Sequence, residues 1–331
     1  MKTSFMKFLF LISMMMSTFL VISSNNWISM WMGMEMNLMS FIPYMMTMKN
    51  KKSSKAIMMY FMTQSIGSML FLFGILMNSF ITISYLMMKE IVMMLIMVGI
   101  LMKMGVAPFH FWMVEMVQHM SWMSILILMS LQKIAPMYIL SNMLYMNNML
   151  IMIIILSSMV GAIGGINITN LQKIMAYSSI NHMSWMILMM MNKGQWMMYL
   201  LIYSIIMTSA CYFFNNFKAN YLNQLNMITL SMMNKYTLSS IFLSMGGLPP
   251  FLGFILKWMV IESTINSNLM MMLLIMLMMS LITLFYYMRM ISTFLLMYNI
   301  TNKWLLFKKM NMNFILMINC SLPLFSTISF F

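Results

Sequence analysis

Residues Leu101 to Trp112 have the sequence LMKMGVAPFHFW, which places a lysine, a glycine and a proline within one apolar run. Lys103 lies in an apolar run that starts near Ile91, so it falls close to the middle of a membrane-length segment. A charge at that depth costs about 3 kcal/mol or more. Gly105 and Pro108 follow at once and should break the helix, which hydrocarbon tolerates only where protein or a water-filled cavity satisfies the freed backbone groups. Together these features indicate an ion or proton path rather than a simple anchor.

The composition is typical of an integral membrane protein. Of 331 residues, 63% are hydrophobic and 7% are charged, and the mean hydropathy is +0.91, whereas soluble domains carry about 25% charged residues. The net charge of +14 comes almost entirely from lysines that are distributed along the chain between apolar runs. Because they form no basic face, they predict membrane topology rather than a nucleic-acid partner. Many of the 62 methionines stand where Ile or Leu is usual, which indicates a genome that reads an extra codon as Met, as animal mitochondria do.

The apolar segments predict an all-α, polytopic membrane protein of about eleven transmembrane helices, since a span needs roughly 20 apolar residues. The predicted spans are residues 5–23, 27–47, 56–77, 91–112, 122–145, 149–166, 172–191, 195–215, 237–262, 269–293 and 312–331. The longer connections, 216–236 and 298–311, mix Asn, Lys and apolar residues. That mixture is typical of amphipathic helices on the membrane surface.

The basic residues between the spans and near their ends predict the orientation. With the loop of Lys49–Lys55 on the inner side, the outer side keeps only Lys89 and Lys193. The inner set is Lys2, Lys7, Lys49, Lys51, Lys52, Lys55, Lys173, Lys218, Lys235, Arg289, Lys303, Lys308 and Lys309. This asymmetry places the N-terminus on the inner side.

The helix breaks predict an internal repeat. The fourth span is broken at Gly105–Pro108, and five spans later the ninth is broken at Met245–Phe254, MGGLPPFLGF. Since units of five helices alternate in orientation, residues 1–146 and 149–297 would be inverted repeats, each with a broken fourth helix. Residues 298–331 would add a surface link and one C-terminal helix. Transporters built this way place their site at the repeat interface near mid-membrane.

Three ionisable residues at similar depth form the predicted site. Glu35 lies in the second span, Lys103 in the fourth and Lys133 in the fifth, where Pro136 should loosen the helix. At roughly 6 Å and an effective dielectric constant near 20, a Glu–Lys pair contributes about 2–3 kcal/mol. Moving Glu35 would therefore change how strongly Lys103 holds its proton. A static ion pair, or a lysine satisfied by backbone carbonyls, is the alternative.

Lys257, His110 and His182 are the remaining candidates. By simple counting, Lys257 lies near the outer end of the ninth span, where a lysine can reach the surface, although the GGLPP stretch before it could bring it deeper. His110 lies near the inner end of the fourth span and His182 in the middle of the seventh. Imidazole titrates near neutral pH and can shuttle protons. A histidine hydrogen-bonded to a hydroxyl or carbonyl is the alternative for both.

The sequence argues against a redox centre or metal site in this chain. Three histidines cannot supply two bis-His haem sites, and no C-x-x-C occurs for iron–sulfur ligation. No glycine-rich nucleotide loop follows a strand. We therefore expect no cofactor here and place any redox chemistry in partner proteins.

Several motifs occur in a single order along nearly the whole chain. They are GMEMNLMSFIP, the YFMTQSIGS run from Tyr60, MKMGVAPFHFW, LQKIAP, GGINITNLQKIMAYSSINHMSW and LSMGGLPPFLGFILKW. This set resembles the family of mitochondrial NADH dehydrogenase (ubiquinone) subunit 2, the antiporter-like membrane subunits of respiratory complex I. The methionine excess resembles the animal, in particular the arthropod, form.

The resemblance implies roles for four positions. Glu35 matches the family's mid-membrane glutamate and Lys103 the lysine that pairs with it. Lys133 matches the connecting lysine, and Lys257 the lysine of the second broken helix. Val114 stands where the family usually has a proline, which puts the turn after the fourth span in doubt but not the central row.

The resemblance also implies a setting for the chain. It implies a proton-translocating core subunit in the mitochondrial inner membrane, with its N-terminus on the matrix side. NADH dehydrogenase subunits 4 and 4L, accessory subunits and membrane lipids would be its partners. FMN, iron–sulfur clusters and ubiquinone would belong to other subunits. Two alternatives stay open: a scaffold and charge relay without its own proton export, and a stand-alone proton/cation antiporter.

Overall fold

The computed structural model describes residues 2–46, 51–80, 86–143, 147–227, 232–265 and 269–296, with the single residues 316, 317, 319 and 321. Over these ranges the chain is helical, and extended pairing is limited to one isolated bridge between Asn170 and Tyr221. The predicted all-α class is therefore confirmed. The predicted link 298–311 and, apart from the four single residues, the last predicted span 312–331 lie outside the described residues.

The chain divides into two compact units, residues 1–150 and 151–331. The first unit contains α1 (Lys2–Ser23), α2 (Trp27–Met46), α3 (Lys51–Phe80), α4 (Leu86–Met104), α5 (Phe111–Val117), α6 (Trp122–Met129) and α7 (Leu131–Ser141). Helix α8 (Asn147–Ile163) runs across the division. The second unit continues with α9 (Leu171–Met191), α10 (Trp196–Phe217), α11 (Leu222–Met227), α12 (Met232–Gly246), α13 (Gly253–Ile265) and α14 (Met270–Leu296).

Five of the described helical segments are long and apolar enough to cross a membrane. They are Phe5–Ser23, Ser53–Asn78, Trp122–Ser141, Trp196–Phe217 and Met270–Thr293. Large apolar side chains on them are exposed, which suits helices whose outer faces contact lipid. The total of about eleven spans stays a prediction.

The predicted break in the fourth span is present, and a left-handed glycine forms it. Helix α4 ends at Met104, and Gly105 follows with φ of +67°. The Val106 N–H donates to the Leu101 carbonyl at 3.4 Å, and the Gly105 N–H donates to the Met102 carbonyl at 3.2 Å. This bond pair is the Schellman motif, which satisfies carbonyls that a helix end leaves free.

The predicted break in the ninth span has the same geometry. Helix α12 ends at Gly246, and Gly247 has φ of +71°. The Leu248 N–H donates to the Leu243 carbonyl at 3.2 Å, and the Gly247 N–H donates to the Ser244 carbonyl at 3.1 Å. The two sequences, LMKMGVAP and LSMGGLPP, keep Leu, Gly and Pro at one spacing. Equivalent breaks are what a repeat would produce, while the inverted relation between the units stays a prediction.

The fifth predicted span is irregular at a different residue from the expected one. The sequence places the irregularity at Pro136, but Pro136 lies inside α7. The helix is interrupted at Ser130, which has φ of −112° and ψ of −79°. The Ser130 hydroxyl donates to the Leu126 carbonyl at 2.7 Å. A serine that bonds back to the preceding turn competes with the helix ladder and bends it.

Glycines allow α3 and α4 to pack closely. A Cβ on Gly99 would lie 2.8 Å from the Gly67 carbonyl oxygen, and a Cβ on Gly74 would lie 2.4 Å from Cγ1 of Ile96. Small residues at such contacts are how membrane helices approach each other. The α3–α4 contact positions α4, the helix that carries Lys103.

Gly74→Ala is expected to destabilise the first unit by about 1–3 kcal/mol, because the added methyl group overpacks this contact. Thermal unfolding of the purified protein measures the loss. Ile96→Ala removes the obstructing atom, so the double variant should be more stable than the sum of the two single effects predicts. A Gly74→Ala protein as stable as the wild type would contradict the close contact.

Candidate functional site

Glu35 and Lys103 form a buried ion pair in the first unit. The Lys103 Nζ lies 3.6 Å from the Glu35 Oε1, and the lysine side chain is 3% exposed against 24% for the glutamate. Among the described residues neither atom has a hydrogen-bond partner. The pair therefore depends on charge attraction across a small gap, and it responds directly to a change in that distance.

The helix break explains how Lys103 is held in the protein interior. Lys103 lies in the last turn of α4, just before Gly105 ends the helix. The last carbonyls of a helix carry partial negative charge, which favours a cation there. The Gln64 Nε2 donates to the Lys103 carbonyl at 3.1 Å, so one of these carbonyls is bonded. The break thus supplies both a favourable field and a fixed position for the lysine.

A small cavity gives Lys103 and Lys133 a common polar space. It offers about 20 Å³ to the centre of a water molecule, enough for one water. Its lining residues are Tyr60, Gln64, Lys103, Met104, Trp112, Met113, Leu128, Gln132 and Lys133. Lys133 is 2% exposed, so its side chain faces this interior rather than the surface.

A hydrogen-bonded set of neutral polar side chains lies beside the cavity and was not predicted. The Gln132 Nε2 donates to the Asn37 Oδ1 at 2.9 Å, and the Tyr60 hydroxyl donates to the Gln132 Oε1 at 3.2 Å. All three residues lie in motifs noted in the sequence, Asn37 shortly after Glu35 and Gln132 directly before Lys133. Proximity to the charged residues was the one signal that could have identified Asn37 and Gln132.

Lys257 lies in the second unit and bonds the end of a helix. Its Nζ donates to the Gly246 carbonyl at 2.8 Å. Gly246 is the last residue of α12, and α13 holds Lys257 on the other side of the break. The lysine is therefore directed at the break, while its depth in the membrane stays a prediction.

Both candidate histidines have hydrogen-bond partners. The His182 Nδ1 lies 2.9 Å from the Tyr199 hydroxyl, and its ring centroid lies 4.9 Å from that of Tyr203. The His110 Nδ1 lies 3.2 Å from the Pro108 carbonyl, at the start of α5. These contacts match the structural alternative for both residues, and a role in proton transfer stays a prediction.

The structure brings three of the predicted site residues together. Glu35, Lys103 and Lys133 converge in the first unit, where His110 lies at the break but does not line the cavity. Lys257 and His182 belong to the second unit. Continuation of the row from Lys133 to Lys257 stays a prediction. Within the described ranges, no cluster of His, Cys, Asp and Glu could hold a metal ion.

The sequence and the fold can be compared with known proteins. Residues 24–283 match the family described as NADH:quinone oxidoreductase/Mrp antiporter, TM. NADH-ubiquinone oxidoreductase chain 2 of Anopheles gambiae is 44% identical over 311 residues, covering 92% of this chain and 90% of the relative. The chain belongs to this family, in its chain 2 group. The chain 2 protein of Aedes aegypti is 43% identical over 312 residues, again covering 92% of this chain and 90% of the relative.

A solved structure shows the same fold. A chain of respiratory complex I from Thermus thermophilus, with bound aureothin, superimposes with a TM-score of 0.80 at 21% identity. The match covers 88% of this chain and 70% of that chain. The family resemblance identified from the motifs is confirmed. The antiporter-like membrane fold extends through most of this chain.

Proposed function

We propose that the chain is the proton-translocating, antiporter-like core subunit of NADH:ubiquinone oxidoreductase. It would be part of an enzyme whose redox centres lie in other subunits. The observation that carries the proposal is the buried Glu35–Lys103 pair beside a cavity that Lys103 shares with Lys133. The chain 2 relatives support it by their name.

The geometry suggests how a charge change would move a proton. Quinone reduction elsewhere in the complex would alter the Glu35–Lys103 separation, now 3.6 Å. At an effective dielectric constant near 20, the attraction at that distance is about 4–5 kcal/mol. Moving one charge against the membrane field costs about 2.3 kcal/mol per 100 mV. Separating the pair therefore changes the energy of the Lys103 proton by enough to drive its transfer through the cavity to Lys133.

The setting of the chain forms part of the same proposal. About eleven spans would cross the mitochondrial inner membrane as two inverted repeats and a last helix, with the N-terminus in the matrix. NADH dehydrogenase subunits 4 and 4L, accessory subunits and lipids would be the partners. FMN, iron–sulfur clusters and ubiquinone would be bound elsewhere in the complex. The asymmetry of basic residues and the equivalent helix breaks support this arrangement.

A scaffold and charge relay is the second candidate, and the size of the cavity favours it. A space for one water between Lys103 and Lys133 is less than a hydrated route to either surface would need. In that case the chain would pass a change of charge along the membrane arm without exporting a proton. Activity of a purified single chain would instead favour a stand-alone antiporter.

Two substitutions at Lys133 distinguish proton export from a charge relay. Arginine keeps the positive charge but does not release its proton, so Lys133→Arg should stop translocation if the proton passes through Lys133. Lys133→Met should stop both translocation and relay, with a loss of about tenfold or more in coupled rate. Proton uptake and NADH oxidation by the complex in vesicles measure both.

Lys55→Arg makes the same change at an exposed lysine of α3, and it controls for the larger size of the arginine side chain. Wild-type translocation in Lys133→Arg would favour the relay. Ordered waters from Lys133 to one face, in a structure of the intact complex, would favour export.

A further inference from the structure

The side chain of Gln132 contacts three other helices at once. From α7, its Nε2 donates to the Asn37 Oδ1 on α2 at 2.9 Å and to the Met14 Sδ on α1 at 3.4 Å. Its Oε1 accepts from the Tyr60 hydroxyl on α3 at 3.2 Å. Met14, Asn37 and Tyr60 are all buried, with at most 4% exposure. A single amide therefore joins α7 to three neighbours in the interior.

The contacts also fix the direction of the amide. Both N–H groups of Gln132 have acceptors, and the carbonyl oxygen has a donor. If the amide were reversed, its oxygen would face the sulfur of Met14, which cannot donate. The network thus specifies one orientation of the side chain.

The position of Gln132 connects this network to the charged residues. Gln132 directly precedes Lys133 and lines the cavity that both lysines share. Its strongest partner, Asn37, lies on α2, the helix that carries Glu35. The Gln132–Asn37 bond therefore links the helix of the acid to the helix of the second lysine.

We propose that Gln132 is a positioning residue for charge transfer between the Glu35–Lys103 pair and Lys133. Its amide holds α2 against α7, which fixes the distance between the helix that carries Glu35 and the cavity. A movement of Glu35 is therefore transmitted to the cavity. The proposal rests on the proposed function above. It assigns no proton to Gln132 itself, because a neutral amide holds and orients its neighbours.

Gln132→Met and Asn37→Leu, singly and together, test the bond in the assembled complex. Both changes keep the approximate size of the side chain and remove its hydrogen bonds. In vesicles, each single variant should lower proton translocation per NADH oxidised by about five- to tenfold, the effect expected from one hydrogen bond. The double variant should be no worse than Gln132→Met alone, since Gln132→Met already removes the Gln132–Asn37 bond.

Gln118→Met is the matched control. It makes the same change at a half-buried glutamine whose side chain lies 3.1 Å from the His119 Nε2, and it should keep wild-type translocation. The amount of assembled complex and the NADH oxidation rate with a protonophore are measured for every variant. A purely structural role would lower the amount of complex and its NADH oxidation rate in proportion to translocation. That result would overturn the proposal.

Two further outcomes count against the positioning role. Wild-type translocation in Gln132→Met would show that the amide is dispensable. Effects of Gln132→Met and Asn37→Leu that simply add would show that the two residues act separately. Lys103→Met in the same assay separates this failure from that of the proposed function. If Lys103→Met stops translocation while Gln132→Met does not, only the positioning role is lost.

Discussion

Lys103→Met should stop coupled proton translocation by the assembled complex, with a loss of at least about tenfold in rate. The substitution leaves the Glu35 carboxylate, 24% exposed, without the cation that now lies 3.6 Å away. Removing one partner of a buried pair costs about 3–5 kcal/mol, because the other charge stays buried and uncompensated. Proton uptake and NADH oxidation in vesicles measure the loss.

Two companion variants make this result specific. Lys55→Met makes the same change at an exposed lysine of the same unit and should leave translocation unchanged. Adding Glu35→Gln to Lys103→Met removes the uncompensated charge, so it should restore the yield of assembled complex but not translocation. Undiminished translocation in Lys103→Met would remove the basis of the proposed mechanism.

Gly247→Ala should lower the stability of the complex, while Gly246→Ala next to it should be tolerated. Gly247 has φ of +71°, a conformation that costs an L-residue about 1–2 kcal/mol. A Cβ there would also lie 2.6 Å from Cε of Lys257. Gly246 lies in the helix, and the nearest atoms to its added Cβ are 3.7 Å away. The thermal stability of the complex and its translocation should both fall in Gly247→Ala.

The neighbouring glycine serves as the control for helix composition. Alanine is a better helix former than glycine, so Gly246→Ala should equal or slightly exceed the wild type in stability. Combining Gly247→Ala with Lys257→Ala removes the clash but not the backbone strain. Partial recovery of stability in that double variant would separate the two causes, and equal stability of the two glycine variants would contradict the left-handed turn.

The two helix breaks and the Glu35–Lys103 pair could be predicted from the sequence because they depend on rare residues. Gly105 and Gly247 stand before prolines in apolar runs, and the structure ends a helix at each. Lys103 and Glu35 are exceptional in membrane-length segments, where a charge needs a partner. Their ion pair could therefore be expected from depth alone.

The remaining parts depend on common residues or on the backbone, which give weak signals. Ser130 lies at the interruption between α6 and α7, yet serines occur in most described helices of this chain without breaking them. Gln132 and Asn37 are neutral amides whose importance comes from partners on other helices. Lys257 bonds a backbone carbonyl, which any residue could supply. Packing of helices far apart in the chain decides the Gln132–Asn37 bond.

The volume of the cavity between Lys103 and Lys133 has a consequence for ion selectivity. At about 20 Å³ it admits a single water molecule. A sodium ion passing this point would have to give up most of its hydration shell, and the lining offers two lysine side chains and no carboxylate. A proton would need only to move along hydrogen bonds between an amine nitrogen and a water. We therefore expect this cavity to admit a proton more readily than a hydrated cation.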